Sequence, residues 1–407
     1  MIGQLKVKNY RSLADVTVSF DVLTVLVGLN GSGKSNLVDV LRFVSEALTH
    51  GLDSAVIKRH GMSALRRWSG KGRPYDVEIG LSVSGNGTLA ADYQFTLGSE
   101  LRGGYRVKSE RCEVRDLSGQ SSKLISKFET LNGEWGASPL ETAPALQQTA
   151  LALPLLTGLE PFRQVYDLLT SMSFYNIVPN DLTEPQKPAN VHPLTERGDN
   201  LASLLRELRR SHSTVSKELE SALNSVMGDV LGYQVAQVGG YLVTKLRHTG
   251  AGKDQQPLFE LSQESDGTLR MLGILSALYQ TPPRGLIALE EPELTIHPGA
   301  MSLLWEEILE ATRRRDGQMQ VVLTTHSPDL LDMCEADQIR VVEKINGITH
   351  VGPVAEDQKQ IIQQKLFAPG QLLQAQGLIR RADCCARDIS ANGDASARRR
   401  SVECCKP

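Results

Sequence analysis

The sequence predicts an α/β fold: a parallel-core sheet with a flanking antiparallel sheet and a helical insert. Three observations carry this. Apolar strands alternate with helices in the second half of the chain, the pattern of a parallel sheet. An apolar strand, Leu23 to Val27, runs straight into a glycine-rich turn and an amphipathic helix. Between Tyr75 and Ile125, short period-two strands follow one another with turn signals, as in an antiparallel sheet.

Taken in order, Leu5, Val7, Val16, Val18 and Phe20 alternate with polar residues, which predicts strands before Leu23. Leu37, Leu41, Val44 and Leu48 fall at spacings of 4, 3 and 4 and predict one buried helix face. Val77, Ile79, Leu81 and Val83, then Tyr93, Phe95 and Leu97, predict strands around the turn Ser84-Gly85-Asn86-Gly87. Residues 141–230 read as a helical insert broken near Pro179, Pro185, Pro188 and Pro193, with Asp199 or Asn200 placed to cap a helix opened by Leu201, Leu204, Leu205 and Leu208. Strands are expected at Tyr233 to Val238, Tyr241 to Leu246, Leu286 to Leu289 and Val321 to Leu323, with helices at Leu269 to Leu278 and 300–314. The expected units are a first lobe over 1–140, the insert, a second lobe over 231–370, and a disordered Arg-, Ala- and Ser-rich tail over 371–407.

With 44 Lys and Arg against 47 Asp and Glu, the 407-residue chain has a net charge of -3, so any nucleic-acid face must be local. No run of about 18 apolar residues and no signal-peptide core occurs, which points to a soluble, cytoplasmic protein with no membrane partner. Cys112, Cys334 and the pairs Cys384/Cys385 and Cys404/Cys405 match neither a zinc spacing nor a secreted disulfide framework and read as reduced thiols.

Four segments carry chemistry. Gly28-Leu29-Asn30-Gly31-Ser32-Gly33-Lys34-Ser35 fits G-x-x-x-x-G-K-[ST] between strand and helix, where backbone N–H groups and the helix N-terminus can cradle phosphates. In that reading Lys34 reaches the β- and γ-phosphates and Ser35 ligates Mg²⁺. Asn30, Gly31, Ser32, Gly33 and the following Asn36 complete the candidate nucleotide-binding set. The strand Leu286 to Leu289 ends in Glu290-Glu291-Pro292-Glu293, delivering Glu290 to the metal shell and Glu291 to the attacking water. The strand before Thr324-Thr325-His326-Ser327 brings His326 to the same edge as a γ-phosphate contact. Ser265-Asp266-Gly267-Thr268 opens a helix, either as a plain N-cap or as an anion site made by Ser265 and Gly267.

Together with Asn9-Tyr10-Arg11-Ser12-Leu13, Glu290-Glu291-Pro292-Glu293, His297-Pro298 and Thr325-His326-Ser327, these motifs resemble the ABC-type heads of SMC, RecF and OLD-like ATPases, closest to the bacterial AAA family ATPase group. The resemblance covers roughly residues 1–370 and implies a P-loop NTPase of ABC-head type, with Arg11 among the nucleotide-binding residues. It further implies Mg²⁺ with ATP as substrate, and a homodimer or higher oligomer in which Ser265 and Gly267 act in trans. Glu290 stands where many such heads carry Asp. Gln147 and Gln148 are the nearest candidates for the glutamine that bridges metal and insert in such heads.

Ser35 and Ser265 are 230 residues apart, far more than in transporters, and the signature lacks Leu-Ser-Gly-Gly-Gln. No sustained heptads fill that interval, and little chain follows the last legible strand, so neither a coiled-coil arm nor a Toprim nuclease is expected. The resemblance therefore implies an ATPase that couples hydrolysis to DNA or to a separately encoded effector, a nuclease or toxin, in DNA repair or anti-phage defence. The alternative is a slow-turnover scaffold that restrains or releases such a partner. Lys58-Arg59-His60, Arg66-Arg67 with Trp68, and Arg206 to Arg210 are the basic stretches that could meet phosphates.

Overall fold

The computed structural model describes residues 1–70, 72–85, 88–99, 104–119, 122–189, 193–250, 256–313 and 319–381. In chain order the elements are β1 (Ile2–Tyr10), β2 (Leu13–Ser19), β3 (Leu23–Val27), α1 (Lys34–His50), α2 (Leu52–Lys58), α3 (Met62–Leu65), β4 (Val77–Gly85), β5 (Leu89–Ser99), β6 (Tyr105–Asp116), β7 (Lys123–Leu131) and β8 (Glu134–Ala137). There follow α4 (Glu160–Thr170), β9 (Met172–Tyr175), α5 (Pro179–Thr183), α6 (Leu201–Ser211), α7 (Ser213–Met227), β10 (Val230–Val238), β11 (Tyr241–His248), β12 (Leu258–Glu260) and α8 (Asp266–Leu278). The last are β13 (Leu286–Glu290), α9 (Pro298–Arg313), β14 (Gln320–Thr325), α10 (Pro328–Leu331), β15 (Ile339–Ile345), β16 (Ile348–Pro353), α11 (Glu356–Gln363) and α12 (Pro369–Gln376).

The central sheet has six strands in the order β16-β15-β3-β14-β13-β9, all parallel except the antiparallel edge β16. β3, β14 and β9 are buried along their whole length, as expected of parallel strands covered on both faces. Successive residues feed opposite cores. Leu26, Ala288 and Val322 pack with α1 and the seven-stranded antiparallel sheet, whereas Val25, Ile287, Leu289, Val321 and Leu323 pack with α6 to α9. The two anticipated lobes therefore share one sheet, with β3 from the first and β13 to β15 from the second.

Three expectations change. The stretch read as a helical insert contains β9, which pairs with β13, and its helices α6 and α7 belong to the second core rather than to an appended unit. Asn200 stands at the N-cap of α6, but its side chain turns backwards: Oδ1 accepts from Thr195 N at 2.8 Å and Nδ2 donates to Pro193 O. The expected disordered tail begins with ordered chain, since α12 runs to Gln376 and Arg380 bridges Val354. The rest of that tail, 382–407, with its four cysteines, and the turn residues Asn86 and Gly87 lie outside the described residues. Cys112 and Cys334 are free and buried.

The antiparallel sheet is anchored by one buried acid. Glu110 on β6 is 1 % exposed and accepts from Tyr93 Oη and Leu153 N, each at 2.9 Å, and from Ala152 N. Burial pushes its carboxyl up to about 7. A raised folded-state value means that stability is fully present below the ordinary carboxyl range and is lost as pH rises towards about 7. The urea-unfolding free energy of the wild type should fall between about pH 4.5 and 7, by at most about 1.4 kcal/mol per pH unit. Glu110→Gln should flatten that slope whatever its baseline, and an unchanged slope contradicts the assignment.

Candidate active site

β3 ends at Val27 and the chain enters the P-loop through Gly28, where a Cβ would stand 2.1 Å from Val342 O on β15. Gly31 and Gly33 adopt φ of 76° and 113°, the left-handed region that glycine occupies without strain. A Cβ on Gly33 would also come within 2.2 Å of Thr349 Oγ1 on β16. Ser32 Oγ is buried with no hydrogen-bond partner, and α1 has no acid in its first turn to neutralise its positive end. Lys34 Nζ spans the loop, donating to Gly28 O at 2.6 Å and Leu29 O at 3.3 Å. Burial lowers its pKa, and the charges of Glu291 and Glu293 oppose that shift. A loop of glycines, an orphaned hydroxyl, a helix N-terminus and a buried cation together suit a polyphosphate.

The acids arrive because β13 and β14 run parallel in register, Leu289 beside Leu323 and Glu290 beside Thr324. Glu290 meets the Ser35 hydroxyl and lies 3.1 Å from Arg42 Nη2; burial raises its carboxyl, while Arg42 and Ser35 pull the other way. This hydroxyl and carboxylate are oxygen donors of the kind a hard divalent cation takes. Among the described residues no group of three or more His, Cys, Asp or Glu could hold a metal alone, so phosphate and water would supply the other ligands. Glu291 has φ +45°, a left-handed conformation costing on the order of 1–3 kcal/mol, and its N–H is held by Thr324 O at 3.0 Å. Its Oε1 stands 3.4 Å from His326 Nδ1. Lys34, Ser35, Glu290, Glu291 and His326 are thus gathered at one sheet edge, as the motifs anticipate.

Arg11, in the β1–β2 turn, lies beside the P-loop helix, with Nη1 3.0 Å from Asp39 and 3.5 Å from Asn36 Oδ1. Asn36 Nδ2 in turn donates to Ser12 Oγ at 2.7 Å. Ser265 and Gly267 are not brought to this cluster. Ser265 is the N-cap of α8, exposed, accepting from Thr268 N at 3.1 Å, and Gly267 packs where a Cβ would meet Thr295 O at 2.7 Å. Among the described residues neither bonds to its own P-loop. Gln147 and Gln148 lie in the stretch between β8 and α4, where Gln148 O accepts from Val107 N on β6, and among the described residues neither bonds to Glu290. On the side of β13 away from β14 lies β9, with Tyr175 beside Leu289 and Asn176 following it. Arg59 is buried against Asp39 and Glu46, whereas Lys58 pairs with Glu46 at 3.0 Å and stays half exposed.

Three contributors escape the motif reading. Thr349 Oγ1, fully buried, donates to Ser32 O at 2.8 Å and bonds Ser12 Oγ at 2.7 Å, tying β16 to the loop. Arg42, on α1, bridges Glu290 and Glu196. Arg270, buried on the helix that Ser265 caps, is attracted by Glu293, Asp266 and Glu291 while burial lowers its pKa. The Asn346-Gly347 turn, with φ of 50° and 77°, is the signal by which the β15–β16 hairpin could have been found.

Residues 23–332 match the family described as "AAA domain, putative AbiEii toxin, Type IV TA system". The chain belongs to this AAA family of ATPases. Curated relatives include an OLD nuclease of Thermus scotoductus, 21% identical over 84% of this chain and 62% of its own length. Others are an ATP/GTP phosphatase of Helicobacter pylori, 20% identical over 82% of this chain and 88% of its own, and the Old nuclease of Escherichia phage P2, 18% identical over 85% and 60%. The chain thus spans about three-fifths of the two nucleases. The fold is that of an SMC head: one bound to the C-winged helix domain of ScpA aligns with TM-score 0.56 at 15% identity, covering 88% of this chain and 99% of that one. A Pyrococcus furiosus head with an extended coiled coil aligns at 0.50 and 12%, covering 90% and 99%. Among the described residues of this AAA head no helix is long and apolar enough to cross a membrane.

Gly33→Ala should abolish ATP binding, because its Cβ has no room beside Thr349. Thr349→Val keeps the shape but loses both hydroxyl bonds and should raise the ATP dissociation constant about 5- to 10-fold, the equivalent of about one hydrogen bond. Titration calorimetry checks both, and wild-type affinity in either variant contradicts the β16 clamp.

Proposed function

We propose that the protein is a Mg²⁺-dependent, cytoplasmic ATPase whose heads close in pairs around ATP and reopen on hydrolysis, coupling nucleotide state to DNA or to an effector protein in DNA repair or anti-phage defence. The observation that carries this is the approach of Glu291 to His326 beside Lys34, with Ser35 on Glu290, all at one sheet edge. Asn30 to Asn36 and Arg11 would cradle the nucleotide, and Ser35 and Glu290 would hold Mg²⁺, which offsets phosphate charge when bound. Glu291 orients a water and takes its proton as the water oxygen bonds to the γ-phosphorus and the bond to the bridging oxygen of ADP breaks. His326 and Lys34 face the charge that develops on the γ-phosphate. Ser265, exposed on a capped helix N-terminus and without a bond to its own P-loop, supports a role in trans with Gly267. The nuclease names of two relatives support a nucleic-acid context.

A second reading, the slow-turnover scaffold, is favoured by the Arg42 guanidinium on Glu290, which competes with a metal for that carboxylate. Glu291→Gln should lower turnover by about 10²- to 10³-fold and leave an ATP-bound dimer visible by light scattering. A variant that stays monomeric with ATP rules out the closing heads. Equal phosphate release by wild type and Lys34→Ala, with partner binding only by wild type, decides for the scaffold.

A further inference from the structure

Away from the P-loop edge, α6 and the sheet β10-β11-β12 enclose an open cavity of about 490 Å³ whose lining includes Arg206, Arg209, Arg210 and Arg247 and, among the described residues, no carboxylate. The first three stand at i, i+3 and i+4 on α6, so their side chains share one face, and Arg247 reaches in from β11. Among the described residues Glu220 on α7 pairs with the group, 3.8 Å from Arg209 and 3.6 Å from Arg247. Arg209 is further steadied by Tyr233, donating to its carbonyl and lying 5.6 Å from its ring centroid. Arg247 Nε is buried with no hydrogen-bond partner. Four guanidiniums around one concavity repel one another, and the Glu220 pairs offset only part of that charge among the described residues, in a chain of net charge -3. The arrangement suits an anion, and arginine forks suit phosphate.

We propose that this cavity binds the phosphodiester backbone of duplex DNA. The inference rests on, and specifies, the DNA branch of the proposed function. A row of charges along a helix face with a fourth opposite fits a linear polyanion. The aromatic ring lining the cavity, Tyr233, is 1 % exposed, so none of its face is free to stack a base, which disfavours both a mononucleotide and single strands. Recognition here is through backbone charge and independent of sequence.

The test is fluorescence anisotropy of the full chain with a short labelled DNA duplex over a range of salt. Arg206→Gln/Arg210→Gln should weaken binding at least about tenfold and reduce the salt slope by about 2, near 0.9 for each phosphate no longer neutralised. Arg247→Gln, on a separate element, should reduce that slope by about 1. Variants that bind the duplex as wild type does overturn the proposal, as does a wild type that prefers single strands, or that binds pyrophosphate at these arginines but no duplex. None of the three arginines touches the P-loop edge, so ATP-dependent dimerisation of Glu291→Gln should persist in their absence. Dimerisation with duplex binding unaffected by these variants sinks this inference alone, and loss of dimerisation in Glu291→Gln itself sinks the closing-head reading.

Discussion

Everything at the active edge depends on the in-register parallel pairing of β3, β14 and β13. Val27 lies beside Thr325 and Glu290 beside Thr324, so three chains leave the sheet at the same level: the P-loop, the acid turn and the histidine turn. The pairing is enforced by burial on both faces. A one-residue slip of β14 would exchange Val322 and Leu323 between two separate hydrophobic cores. Chemistry that needs positions held within fractions of an ångström is thereby referred to the most rigid part of the molecule.

The P-loop is held from its other side by β15 and β16. Val342 O and Thr349 leave no room for a Cβ at Gly28 or Gly33, and Thr349 bonds both Ser32 and the β1–β2 turn that carries Arg11. Nucleotide loop, antiparallel sheet and C-terminal hairpin therefore meet at one buried threonine. Asp39 performs the corresponding task on α1, taking Tyr10, Arg11 and Arg59 and so binding the first strand and α2 to the P-loop helix.

The residues legible in the sequence are those whose chemistry is local. Lys34 and Ser35 belong to one contiguous motif, and Glu290, Glu291 and His326 each follow an apolar strand, so the strand's burial and the side chain's placement are read together. β9 escaped because four residues between helices carry no periodicity. β15 and β16 escaped although Asn346-Gly347 marks their turn, because Glu343 and Lys344 interrupt the apolar run before it. Thr349 and Arg42 act through partners 317 and 248 residues away, which no spacing along the chain reveals. Ser265 is legible as a cap in both sequence and structure, and its proposed action concerns a second copy of the chain.

The most direct measurement is a crystal structure of the full chain with Mg²⁺ and a non-hydrolysable ATP analogue. The expected result is a γ-phosphate enclosed between Lys34 and His326 of one copy and Ser265 of another, with Glu291 facing it. An analogue held by a single copy, with Ser265 remote from every phosphate, contradicts a site completed by two heads.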